Sequence, residues 1–270
     1  MATPVLRVAL AQIAASDDPA ANAALVEEHL DRAAAAGARL IVFPEATMCR
    51  FGVPLGPVAE PLDGPWASRV AAAAARTGVH VVAGMFTPGS DGRVRNTLLF
   101  AAADGGRTGY DKIHLFDAFG FAESRTVEPG DRAVTVTVDR TTVGLSTCYD
   151  LRFPALYTAL ADAGAQVIVA PASWGDGPGK LDAFTTLACA RALDSTTYVV
   201  AVDQARPDEA EPSKAPRGVG GSLAVGPDGA VLASAGDGPE LVVVDLPIGR
   251  IEEVRATLPV LRNRRDFATG

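Results

Sequence analysis

The chain is poor in cysteine, lysine, histidine and tryptophan. Its 270 residues hold three cysteines, Cys49, Cys148 and Cys189. That odd number, with no Cys-x-x-Cys pair, argues against a disulfide framework and makes a reducing, cytoplasmic setting the default expectation. The three histidines, His29, His80 and His114, share no metal-ligand spacing, so no metal is expected. Lysine occurs only at Lys112, Lys180 and Lys214, no stretch concentrates Lys or Arg, and the net charge is -8. Nothing in that balance points to a nucleic-acid or membrane-surface partner. No apolar run reaches the length of a membrane span. Val5–Gln12 reads as a strand and not as a secretory leader. Neither a G-x-G-x-x-G nor a Walker pattern is present, so Gly220 and Gly221 read as turn glycines.

What remains is an apolar α/β pattern. Hydrophobic residues make up 48% of the chain, enough for one large core, and no compositional break divides it. Residues 1–270 therefore read as a single domain. Strand-like runs at 5–12, 40–44, 79–86, 96–103, 106–111, 134–138, 142–147, 167–170, 198–202, 222–226, 230–234 and 241–245 are interleaved with helical stretches. Those stretches cover 18–36, 66–77, 153–163 and 181–195. Hairpins mixed with β-α-β units imply mixed sheets, each covered by helices on one face and packed face to face. The run at 241–245 is expected to close the sheet begun by the preceding hairpin. Residues 205–218, rich in Pro, Glu, Arg and Lys, are expected to be the least ordered.

Chemistry concentrates at strand ends. An apolar run from Thr142 ends in Cys148, followed by Tyr149-Asp150-Leu151-Arg152-Phe153-Pro154. Another ends at Phe43-Pro44-Glu45. A third strand and its turn lead to Tyr110-Asp111-Lys112. Strand ends open into a cleft, and helix N-termini favour anions. A free thiol is mostly protonated at neutral pH and needs a base or a cation beside it. No histidine lies in the Cys148 segment. A desolvated Glu45 fits the base, and Lys112 fits an oxyanion stabiliser that also favours the thiolate.

These three segments, in this order, resemble the glutamate, lysine and cysteine motifs of the nitrilase superfamily of carbon–nitrogen hydrolases. Pro171-Ala172-Ser173-Trp174, Ala190-Arg191-Ala192-Leu193, Gly221-Ser222 and Arg264-Arg265 match weaker signposts of the same family. The resemblance implies an α-β-β-α sandwich and a Glu45–Lys112–Cys148 triad without a cofactor. It also implies a second glutamate that positions the substrate. Glu123 fits that place best, with Glu128 its competitor. Members of the family usually dimerise, so a homodimer or higher homo-oligomer is expected.

The Cys-Tyr-Asp-Leu-Arg-Phe-Pro form resembles the Nit-type branch of ω-amidases and deaminated glutathione amidases. That resemblance implies small linear amides bearing a carboxylate. N-carbamoyl compounds and nitriles are the alternatives on the same triad. Residues 179–184 depart from the family's commoner sequence at that place. The resemblance also implies that the Tyr149 backbone N–H is a second oxyanion donor and that Tyr149 contacts the substrate. Arg152 has two readings, a partner for a substrate carboxylate or for a core carboxylate. Trp174 is expected in the pocket wall, His114 as a structural histidine bonded to backbone, and Asp117 and Asp150 as supporting carboxylates. Cys49 and Cys189 read as core filler. Two other classes stand beside the enzyme. A non-catalytic scaffold has no reason to keep all three charges, and a thiol redox sensor would need a resolving cysteine near Cys148.

Overall fold

The computed structural model describes residues 4–207 and 215–268. The first half of the chain begins with β1 (Val5–Gln12), α1 (Pro19–Ala35), β2 (Leu40–Val42) and α2 (Pro65–Thr77). It continues with β3 (His80–Pro88), β4 (Val94–Ala101) and β5 (Arg107–Asp111). A two-residue hairpin follows, β6 (Asp117–Ala118) with β7 (Phe121–Ala122). The second half opens with β8 (Val134–Val138), β9 (Thr141–Leu145), α3 (Pro154–Asp162), β10 (Val167–Ala172) and α4 (Lys180–Ser195). Next come β11 (Tyr198–Asp203), β12 (Leu223–Val225), β13 (Val231–Ser234) and β14 (Glu240–Pro247). Two helices absent from the sequence reading end the chain, α5 (Arg250–Thr257) and α6 (Val260–Asn263).

Two six-stranded sheets result, ordered β14-β1-β2-β3-β4-β5 and β13-β12-β11-β10-β9-β8. In each, three central strands run parallel and the flanking strands antiparallel. The inner faces meet in one apolar layer that joins Val8, Leu10 and Val82 to Val143, Val169 and Val200. The outer face of the first sheet packs on α1 and α2 through Val26, Leu30 and Val70. That of the second packs on α3 and α4 through Leu160, Phe184 and Ala188. The fold is the expected α-β-β-α sandwich with two mixed sheets. Central strands buried on both faces read as continuous apolar runs, as in His80–Pro88 and Tyr198–Asp203.

One expectation is corrected. Residues 241–245 do not close the sheet of the β12–β13 hairpin. They belong to β14, which pairs antiparallel with β1 at the edge of the other sheet. Of the segment expected to be least ordered, 208–214 lie outside the described residues.

Helix ends follow local chemistry. Asp18 caps α1, accepting from the Ala20 and Ala21 N–H groups. Pro154 starts α3 at its first turn, where a missing N–H costs nothing. This matters for the site, because α3 begins directly after the Cys148 turn.

Candidate active site

Each central residue of the site stands just past a strand. Glu45 follows β2, and its turn lies against β3. A Cβ on Gly84 would press into the backbone of Glu45 and Ala46, so only glycine permits this approach. Lys112 follows β5, and its N–H donates to the Asn96 carbonyl at 2.9 Å. Cys148 follows β9, at the start of a short 3-10 turn over Cys148–Arg152. Its φ is 48°, in the left-handed region that a side chain enters at a cost of roughly 1–2 kcal/mol. That turn aims the thiol away from the strand, into the cleft.

The three side chains meet at the base of one cavity, with about 490 Å³ of empty space open at its mouth. Lys112 Nζ lies 2.9 Å from Glu45 Oε1 and 3.0 Å from Glu123 Oε2. All three charged groups are almost fully buried. Burial opposes the Lys112 charge, but Glu123 and Glu45 outweigh it and hold the ammonium well above its ordinary range. Neutral donors complete the set. Asn96 Nδ2 donates to Glu45 Oε1 at 2.7 Å and to Glu123 Oε1 at 3.1 Å. The Ser173 N–H donates to Glu45 Oε2 at 2.9 Å, and the Phe116 N–H to Glu123 Oε2 at 2.7 Å. Each carboxylate therefore accepts from three groups, which is how two buried carboxylates share one cation.

Burial and the adjacent Glu45 push the Cys148 thiol well above its ordinary range; Lys112 pulls the other way and is outweighed. Burial and Glu45 thus favour the thiol form, which calls for the base expected from the sequence, and the pull of Lys112 toward the thiolate is outweighed.

Asp150 ties the segments together. Its Oδ2 accepts from the Tyr110 hydroxyl at 2.6 Å and the Thr147 N–H at 2.8 Å. Its Oδ1 lies 3.0 Å from the His114 N–H and 2.7 Å from His114 Nδ1. The histidine ring also stacks on Phe153, 3.6 Å between centroids. His114 is thus structural as expected, but its ring partner is a carboxylate and not the backbone. One buried carboxylate fixes the lysine loop to the cysteine turn. Beside Trp174 but outside the cavity lining, buried Asp203 accepts from the Trp174 and Val219 N–H groups at 2.8 and 2.7 Å. Burial pushes its carboxyl up to about 7, against the pull of those N–H donors.

The carbon-nitrogen hydrolase family model matches residues 7–256. The chain belongs to the carbon–nitrogen hydrolase family. This hydrolase, which acts on carbon–nitrogen bonds other than peptide bonds, is 56% identical to a hydrolase of Mycobacterium tuberculosis, over 97% of this chain and 96% of the relative. It is 36% identical to the deaminated glutathione amidase of Escherichia coli O157:H7, over 96% of this chain and 97% of that protein. The solved structure of Nit3 of Saccharomyces cerevisiae, a member of branch 10 of the nitrilase superfamily, superposes with a TM-score of 0.86. It covers 98% of this chain and 100% of the Nit3 chain, at 26% identity. These likenesses bear out the resemblance read from the motifs.

In this hydrolase Glu45, Lys112, Glu123, Cys148, Tyr149, Arg152 and Trp174 all line the one cavity. Glu128 does not; it pairs with Arg95 at 2.8 Å, which holds its carboxyl down at about 2. Arg152 is exposed and sits 5.5 Å over the Trp174 ring, with no ion pair among the described residues. Cys49 lies outside the cavity lining, packed with Ala46, Phe51 and Phe86, its Sγ 3.6 Å from the Asp17 carbonyl. Cys189 packs against the α3–α4 core. Sequence reasoning missed Asn96 and the donor role of Ser173, together with the aromatic wall of Phe116 and Phe121. The available signal for Asn96 was its place in the polar run Arg95-Asn96-Thr97, directly before the apolar stretch of β4.

Proposed function

We propose that the chain is a thiol amidase that releases ammonia from small linear amides bearing a carboxylate. One observation carries this reading: a base, an ammonium and a thiol from three separate strand ends converge on one cavity base. Glu45 takes the Cys148 proton as sulfur bonds to the amide carbon, because a thiol held above its usual range needs a base at the moment of attack. The carbonyl π pair moves onto oxygen, where Lys112 Nζ and the Tyr149 N–H receive the charge. Glu45 passes its proton to nitrogen, the carbon–nitrogen bond breaks and ammonia leaves. A water then yields a proton to Glu45 and adds to the thioester. The carbon–sulfur bond breaks, and sulfur recovers its proton as the acid departs. Glu123 holds Lys112 in place and faces the substrate.

The carboxylate preference is supported by Arg152, exposed at the cavity mouth and without an ion pair among the described residues. It is also supported by the likeness to an amidase of deaminated glutathione. The test is ammonia release from a panel of carboxylate-bearing ω-amides, N-carbamoyl compounds and nitriles, with wild type and Cys148→Ala side by side. Cys148-dependent release from the ω-amides is the expected result. Release from nitriles or carbamoyl compounds alone would discard the substrate class, and turnover by Cys148→Ala would discard the mechanism.

A further inference from the structure

Five charged side chains line the cavity, and they divide into two groups. Glu45, Glu123 and Lys112 satisfy one another at its base. Arg152 and Lys180 remain, and neither forms an ion pair with a described residue. The net charge is -8, and several arginines elsewhere pair with carboxylates, as in Arg7–Asp245, Arg39–Asp139 and Arg69–Glu27. Within the cavity, three cations face two carboxylates. The nearby Asp182 is exposed and is not part of the lining.

Both cations rest on aromatic rings. Arg152 lies over Trp174, and Lys180 Nζ is 3.9 Å from the Phe119 centroid, on the tip of the β6–β7 hairpin. A ring quadrupole attracts a cation but brings no counter-charge. The rings steer the two side chains and leave their charge available to a ligand. Guanidinium matches a carboxylate with two parallel N–H donors, and ammonium acts as a point charge.

Resting on the amidase reading above, we propose that the cavity mouth is a two-point anion site formed by Arg152 and Lys180, and that the amide substrate carries two carboxylates, one for each. The substrate class is then a small tricarboxylic acid mono-amide, or another linear amide with two anionic groups. Lys180 is the residue that sets the preference for the second charge.

The experiment compares kcat/KM for glutaramate with that for the 1-monoamide of tricarballylate, which has the same chain and one more carboxylate. Wild type should favour the second by about tenfold or more at low salt. Lys180→Gln should remove most of that preference, and Lys180→Arg should keep it. Equal values for the two amides in wild type, or an unchanged ratio in Lys180→Gln, would overturn the proposal.

Calorimetric binding of glutarate and tricarballylate to Cys148→Ala reads the site without turnover. Tighter tricarballylate binding that is lost on adding Lys180→Gln upholds the site even if wild type hydrolyses neither amide. In that case the amidase reading falls and the anion site stands. No binding preference overturns the anion site whatever the turnover.

Discussion

Asn96 Nδ2 lies 2.7 Å from Glu45 Oε1 and gives its other N–H to Glu123. Among the described residues the amide is thus the one neutral side chain that hydrogen-bonds both buried carboxylates. Removing a donor to a buried charge costs about 1–3 kcal/mol, so Asn96→Ala should lower kcat/KM by about tenfold to a hundredfold with the fold retained. Asn96→Asp should be worse, because it adds a third carboxylate to a site with one ammonium. Steady-state rates beside thermal unfolding check both; near-wild-type rates would remove Asn96 from the site's support.

Cys148→Ala should end turnover while leaving the far-ultraviolet circular dichroism unchanged. Cys148→Gly should be as inactive yet melt higher than Cys148→Ala. The residue sits at φ 48°, where glycine escapes a penalty of about 1 kcal/mol that alanine keeps. A lower midpoint for the glycine variant would show that the turn is not strained.

Lys112→Ala should lose both activity and stability. It leaves Glu45 and Glu123 buried without their cation, a loss of about 3–5 kcal/mol for a broken buried pair. Denaturant unfolding measures it. A shift below about 1 kcal/mol would mean that the neutral donors suffice alone.

Asp203 predicts a pH dependence. Its folded value of about 7 lies above the ordinary 3.8, so the group takes up a proton on folding between those values. Stability from this source therefore falls as pH rises from about 4 to about 7. Asp203→Asn cannot titrate. It also loses one acceptor for the Trp174 or Val219 N–H, so it should melt below wild type. The gap between the two midpoints should narrow between about pH 5 and about pH 8. A gap that widens would contradict the raised carboxyl.

Glu45 and Cys148 were legible because each follows an apolar run, where polarity changes abruptly as a strand leaves the core; Lys112 follows the polar strand Arg107–Asp111 and was legible from its motif, Tyr110-Asp111-Lys112. Asn96 was hidden for the opposite reason. It lies inside β4 between Arg95 and Thr97, where three polar residues in a row read as an ordinary strand start, and only folding reveals which face meets the carboxylates. The helix Arg250–Thr257 escaped notice because it buries only Ile251 and Val254, too thin an apolar stripe to stand out. Two hairpin turns were written in Asp-Gly pairs, Asp104-Gly105 between β4 and β5 and Asp228-Gly229 between β12 and β13. The partner of β14 was not, since nothing near Leu241 encodes a pairing with Val5–Gln12.

That pairing makes the first strand wait for the last. Gln12 meets Glu240 and Val5 meets Pro247, so a chain emerging from the ribosome holds one bare edge of β1 through almost its whole synthesis. Contacts of such long sequence separation close late and slowly. A message cut short before Glu240 would yield a nearly complete sandwich with an open seam, able to add a strand from a neighbouring nascent chain.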